Sequence, residues 1–94
     1  MHTPEKAFIV GCGDIGRRIA LLTHEKGWEI TALLRSAVKL DNLKHIMNQV
    51  LSADLDDPSS LTPLPTHGAT IFYLAPPPGG GVVDPRMRNF CAAI

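Results

Sequence analysis

Ala7-Phe8-Ile9-Val10-Gly11-Cys12-Gly13-Asp14-Ile15-Gly16 is the stretch on which the reading of this chain turns. Four apolar residues in a row, cut off by a glycine, suit a strand buried on both faces, as in a parallel sheet. The glycines then recur as G-x-G-x-x-G, a pattern common by chance that gains meaning only between a strand and a helix. The spacing predicts that helix over residues 14–27. Ile15, Ile19 and Leu22 share one face with Ala20 beside them, Arg17, Arg18, Glu25 and Lys26 are left mostly to solvent, and Gly27 is the stop.

In that context each glycine has a physical task. Gly11 permits the sharp turn from strand to helix. Gly13, with no side chain, lets the backbone approach a pyrophosphate closely, and Gly16 lets the helix pack tightly on the strand. The first helical turn, with Asp14 and Ile15, presents N–H groups and a partial positive charge that suit an anion. The carboxylate of Asp14 favours the helix dipole but would repel a pyrophosphate, so it is expected on the solvent side. A tight turn without a ligand is the plainer reading of the same glycines. An S-adenosylmethionine loop is a sharper rival, but it carries an acid two positions before its first glycine, where this chain has Ile9.

Outward from the loop, Glu29–Leu34 reads as a second buried strand, with Ser36 placed to cap a helix over about 37–47. A weaker third strand covers 49–53, and residues 55–67, with three prolines, form a connection with room for one helical turn. Residues 69–75 make a fourth strand, Pro76–Gly81 breaks regular structure, and Asp84-Pro85 starts a last helix. The alternation predicts an α/β fold, a Rossmann-like doubly wound parallel sheet in truncated form, with strand order 3-2-1-4. The whole of residues 1–94 then reads as the N-terminal part of one dinucleotide-binding domain.

The end of the second strand bears on which dinucleotide. NAD sites place an acid there for the ribose hydroxyls, whereas this chain has Arg35 and Ser36. Arg35 suits a 2′-phosphate through charge-assisted bonds, and Ser36 adds a hydroxyl and an N–H. NADP is therefore expected ahead of NAD. A solvated surface arginine is the alternative for Arg35.

With the glycine loop, Leu34-Arg35-Ser36, Asp54-Leu55 and Tyr73-Leu74-Ala75-Pro76 in order, the chain resembles the extended and atypical short-chain dehydrogenase/reductases, closest to the nucleoside-diphosphate-sugar epimerase/dehydratase group. The resemblance runs through essentially all 94 residues. It implies that Asp54 and Leu55 contact the adenine ring, and that Leu74, Ala75 and Pro76 lie beside the cofactor's ribose and nicotinamide. Asp54 reads equally as a turn residue, and Ala75 and Pro76 as a strand end. The family's catalytic Tyr-x-x-x-Lys is absent, since Tyr73 is the only tyrosine and Pro77 stands four residues on. The fifth and sixth strands and the substrate domain are absent too. The chain thus looks like the N-terminal portion of a longer NADP-binding oxidoreductase, or a degenerate stand-alone relative, that is not catalytic alone. A regulatory nucleotide-sensing module of the potassium-uptake type is the alternative, although such modules usually end the second strand with an acid. A structural remnant that binds nothing is a third reading.

Nine basic and nine acidic residues cancel, so no global field draws in nucleic acid or a membrane surface. No apolar run approaches the length of a membrane span, no signal-peptide core opens the chain, and Cys12 and Cys91 do not make a disulfide framework. A cytoplasmic protein is expected. His2, His24, His45 and His67 lack metal-ligand spacing and read as surface residues, while Trp28 is expected at the base of the sheet. An apolar fourth strand without a fifth beside it leaves an open edge, and with it a homodimer through that edge is expected.

Overall fold

The run before the first glycine forms β1 (Lys6–Val10), one of the two inner strands of a four-stranded parallel sheet. It pairs with β2 (Glu29–Leu34) on one side and β4 (Ala69–Tyr73) on the other, and β3 (Gln49–Ser52) lies outside β2. The order is β3-β2-β1-β4, as expected for a Rossmann-like α/β unit. These relations come from a computed structural model that describes residues 5–11, 13–35, 44–61, 64–75 and 84–94.

Both faces of β1 are covered, which explains its unbroken apolar run. Ala7 and Ile9 point to one face and join Ala20 of α1 (Asp14–Glu25), Ile30 and Ile46 in a buried cluster. Phe8 and Val10 point to the other and join Leu33 and Phe90 of α2 (Pro85–Ala93). The two helices therefore lie on opposite faces of the sheet. Trp28 packs on the α1 side, next to the start of β2, in keeping with its expected place at the base of the sheet.

The buried stripe of α1 differs from the one its periodicity suggests. Gly16, Ala20 and Thr23 are the buried residues, Ile19 is half-buried, and Ile15 and Leu22 are 64% and 58% exposed. One residue of offset rotates a helix by about 100°. The close seat of Gly16 on the glycine loop decides the rotation, and it brings the small residues rather than the large ones to the sheet. The hydroxyl of Thr23, buried by this, donates to the carbonyl of Ile19 at 2.8 Å. Arg17 is half-buried rather than left to solvent. Gly27, at φ +80°, ends the helix as expected.

The helix expected over 37–47 falls largely outside the described residues, and its last part is a single 3-10 turn, Lys44–Ile46. Beyond it Asn48 brackets the start of the β2–β3 pairing. Its N–H donates to the carbonyl of Ile30 and its side-chain oxygen accepts from the N–H of Ile30, both at 2.8 Å. The 55–67 connection contains the one turn it had room for, a 3-10 turn at Pro58–Ser60. β4 ends at Tyr73, two residues earlier than its apolar run suggests, and it is not buried through its length. Thr70 and Ile71 are exposed, because β4 is an edge of the described sheet. α2 starts as its Asp-Pro pair predicts, with Asp84 Oδ1 accepting from the N–H of Met87 at 3.1 Å and Pro85 in the first turn.

Candidate functional site

Because all four strands run the same way, their carboxyl ends share one edge of the sheet. Gly11 follows β1, Arg35 follows β2, Asp54 lies just past β3, and Leu74 and Ala75 follow β4. At β1 the topology switches: the chain leaves toward β2 on one side and returns at β4 on the other. Open α/β sheets bind ligands in the crevice at such a point.

The glycine loop packs into this crevice. Gly11 adopts φ +84°, and a β-carbon there would sit 3.1 Å from the backbone nitrogen of Ala75. The N–H of Leu74 donates to the carbonyl of Val10 at 2.8 Å, which carries the β1–β4 pairing up to the loop. A β-carbon on Gly16 would meet the carbonyl oxygen of Gly11 at 2.7 Å, with Leu74 Cδ1 next nearest at 3.5 Å. The structure therefore brings Gly11, Gly16, Leu74 and Ala75 into one packed unit.

Gly13 is different. It caps α1 with extended backbone (φ −78°, ψ −160°), offers no side chain to the first turn, and among the described residues has nothing within 4 Å of where a β-carbon would point. Among the described residues an open cradle thus lies over the start of α1, where the N–H groups of the first turn concentrate partial positive charge. Asp14 and Ile15 stand exposed beside it, and the Asp14 side chain reaches solvent. The described residues of the loop fit an anionic diphosphate: backbone donors, a helix N-terminus and no side chain at Gly13. Cys12, Ser36 and Pro76 fall outside the described residues.

Arg35 is exposed at the end of β2 and sits against the end of β3. Its carbonyl accepts from the hydroxyl of Ser52 at 3.4 Å, and the N–H of Ala53 donates to the carbonyl of Leu34 at 2.9 Å. Asp54 and Leu55 both take part in a compact turn. Asp54 Oδ1 accepts from the N–H of Asp56 at 2.9 Å, while its own N–H donates to Ser60 Oγ at 3.0 Å. Leu55 is half-buried and packs with the cluster under α2. Asp54 thus serves the turn in either of its two readings.

Two partners of this turn lie some thirty residues on and had no signal in the sequence. Arg86 forms a two-pronged ion pair with Asp56, Nε to Oδ1 at 2.7 Å and Nη2 to Oδ2 at 3.0 Å. Asn89 Nδ2 donates to the carbonyl of Leu55 at 2.8 Å. The Arg86 hydrogen bond, reinforced by its charge and by that of Arg35, holds the Asp56 carboxyl below the usual carboxylate range despite partial desolvation.

Tyr73 has its ring 5.4 Å from that of Phe90, and its hydroxyl is buried without a hydrogen-bond partner among the described residues. Burial, with the charge of Asp84 behind it, pushes the phenol above its usual value. His24, His45 and His67 are exposed, and Cys91 is an exposed free thiol. No cluster of metal-ligating side chains occurs among the described residues, and none of their helices is long and apolar enough to cross a membrane.

No family model matches the chain. Over 63 residues it is 33% identical to the NADPH-dependent 1-acyldihydroxyacetone phosphate reductase of Schizosaccharomyces pombe, an alignment covering 65% of this chain. The same alignment covers 21% of the reductase, so the chain corresponds to a minor part of the length of this curated relative.

Proposed function

We propose that residues 1–94 form the NADP-binding part of an oxidoreductase of the short-chain dehydrogenase/reductase kind, with the epimerase/dehydratase group as the closest likeness. The observation that carries this is the open cradle at Gly13, set over the N-terminus of α1 at the switch point of the sheet. Gly11 and Gly16 shape the loop, Gly13 leaves room for the pyrophosphate, and the N–H groups of Asp14, Ile15 and Gly16 face it. Arg35, with Ser36, takes the 2′-phosphate. Asp54 and Leu55 flank the adenine, and Leu74, Ala75 and Pro76 border the nicotinamide side. The NADPH dependence of the fission-yeast reductase supports the choice of cofactor.

A nicotinamide dinucleotide supplies hydride transfer when bound; the proposal gives these residues its binding and orientation and assigns none of them a catalytic role. Tyr73, the one tyrosine, has its hydroxyl buried against α2, which does not suit proton transfer to a substrate. Arg35 at the end of β2 also counts against the nucleotide-sensing alternative. Calorimetric titration of the full chain with NADPH and with NADH tests the reading. Micromolar binding with a preference for NADPH, lost in Arg35→Glu, is expected. Equal loss of both dinucleotides in Arg35→Glu would refute the assignment of that residue.

A further inference from the structure

The Asp56 carboxylate poses a problem for the site just proposed. It lies in the turn that follows β3, and β3 is hydrogen-bonded alongside β2, whose end carries Arg35. Its charge lies within electrostatic reach of Arg35, so a carboxylate there, left unpaired, would compete with a phosphate for that guanidinium. In the structure another arginine takes both of its oxygens. Arg86, in the first turn of α2, engages both carboxylate oxygens with two N–H groups, the arrangement that fixes an arginine–carboxylate pair in direction as well as distance. Asn89, one turn further along α2, holds the neighbouring carbonyl of Leu55 and keeps the turn seated. Asp84 caps the same helix and sets its start.

We propose that Arg86 is a positioning residue that sets the preference for 2′-phosphorylated dinucleotides, by binding Asp56 to α2 and so leaving Arg35 available to the phosphate. This rests on the reading of Arg35 as the 2′-phosphate ligand. Arg86 itself touches no part of the dinucleotide in this scheme. Its effect comes through the Asp56 charge, which, once released, turns toward Arg35 and repels the phosphate.

The test is the ratio of NADPH to NADH affinity, measured by calorimetry on the full chain. Arg86→Met is expected to lower that ratio roughly three- to tenfold, a range suited to a partly solvated charge. Adding Asp56→Asn to Arg86→Met removes the released charge and is expected to bring the ratio back to within about twofold of wild type. Asp56→Asn alone, which leaves α2 intact, is expected to keep or raise the preference. A merely structural role for the ion pair would weaken NADPH and NADH together and would not be rescued by the second substitution. An unchanged ratio in Arg86→Met, a double variant that stays low, or a preference lost in Asp56→Asn each overturns the inference. If the wild-type chain shows no NADPH preference, or Arg35→Gln leaves it intact, the reading of the site itself has failed. If Arg35→Gln abolishes the preference while Arg86→Met preserves it, the site stands and the role of Arg86 does not.

Discussion

The two glycines at either side of the first helical turn should respond to the same substitution in opposite ways. Gly16→Ala puts a β-carbon 2.7 Å from the carbonyl oxygen of Gly11, where ordinary contact begins at 3.4 Å, and the obstacle is backbone that has no rotamer to change. Overpacking of this kind costs about 1–3 kcal/mol. The better helix propensity of alanine returns up to about 1 kcal/mol. The net expectation is a loss of about 1–2 kcal/mol. Gly13→Ala meets nothing within 4 Å among the described residues, and φ −78° suits any residue. Alanine stiffens the unfolded chain, worth about 0.4–1 kcal/mol, but caps a helix less well than glycine by a similar amount. Stability should therefore stay within about 0.5 kcal/mol of wild type. The methyl would, however, stand in the cradle proposed for the pyrophosphate. A clash of about 1–3 kcal/mol with the ligand corresponds to roughly a 5- to 150-fold loss in NADPH affinity. Urea denaturation followed by the single tryptophan, Trp28, reads the first quantity, and calorimetry reads the second. If Gly13→Ala unfolds as readily as Gly16→Ala, Gly13 belongs to the fold and not to a ligand. If it binds NADPH as wild type does, the cradle is not where the pyrophosphate sits.

Tyr73→Phe removes a buried hydroxyl that has no partner among the described residues, so it should raise stability by about 1 kcal/mol in urea denaturation at neutral pH. Because the folded phenol titrates above its usual value, wild type should also lose stability as the pH rises through 10 toward that higher value, where the fold holds a proton that the unfolded chain releases; Tyr73→Phe should lack this alkaline loss. The Asp56 carboxyl is shifted the other way. As the pH falls from 3.8 through its lower folded value, the unfolded chain takes up the proton first and the contribution of the Arg86 pair disappears. Urea midpoints measured against pH should therefore fall less steeply on the acid side in Asp56→Asn than in wild type.

Much of this architecture was legible because it is written in short-range patterns. The apolar run before Gly11 announces a strand covered on both sides, since a doubly covered strand cannot alternate. Gly27 and the Asp84-Pro85 pair mark helix ends through backbone chemistry that depends only on neighbours. The face of α1 was not legible in the same way. Ile15, Ile19 and Leu22 have the period of a core stripe, yet the buried line runs through Gly16, Ala20 and Thr23. Periodicity records which residues share a face, but the closest contact decides which face goes down, and here that contact is Gly16 on the Gly11 carbonyl. The end of β4 was misplaced for a related reason: its apolar run continues to Ala75, but the strand stops at Tyr73. An apolar run records which residues avoid water, whereas the ladder of partners decides where a strand ends.

The sequence by itself therefore determined the succession of strands and helices, the parallel sheet that follows from it, and the glycine loop at the first turn. All of these depend on residues within one helical turn or one strand of each other. Tertiary structure alone decided that, among the described residues, Gly13 is open while Gly11 and Gly16 are packed, although the three glycines are chemically identical. It also decided that Arg86 and Asn89 hold the turn at Leu55 and Asp56 from about thirty residues away. Such pairings arise when the sheet sets β3 and β4 in place and seats α2 over its face, and no local propensity encodes a distance that the fold creates.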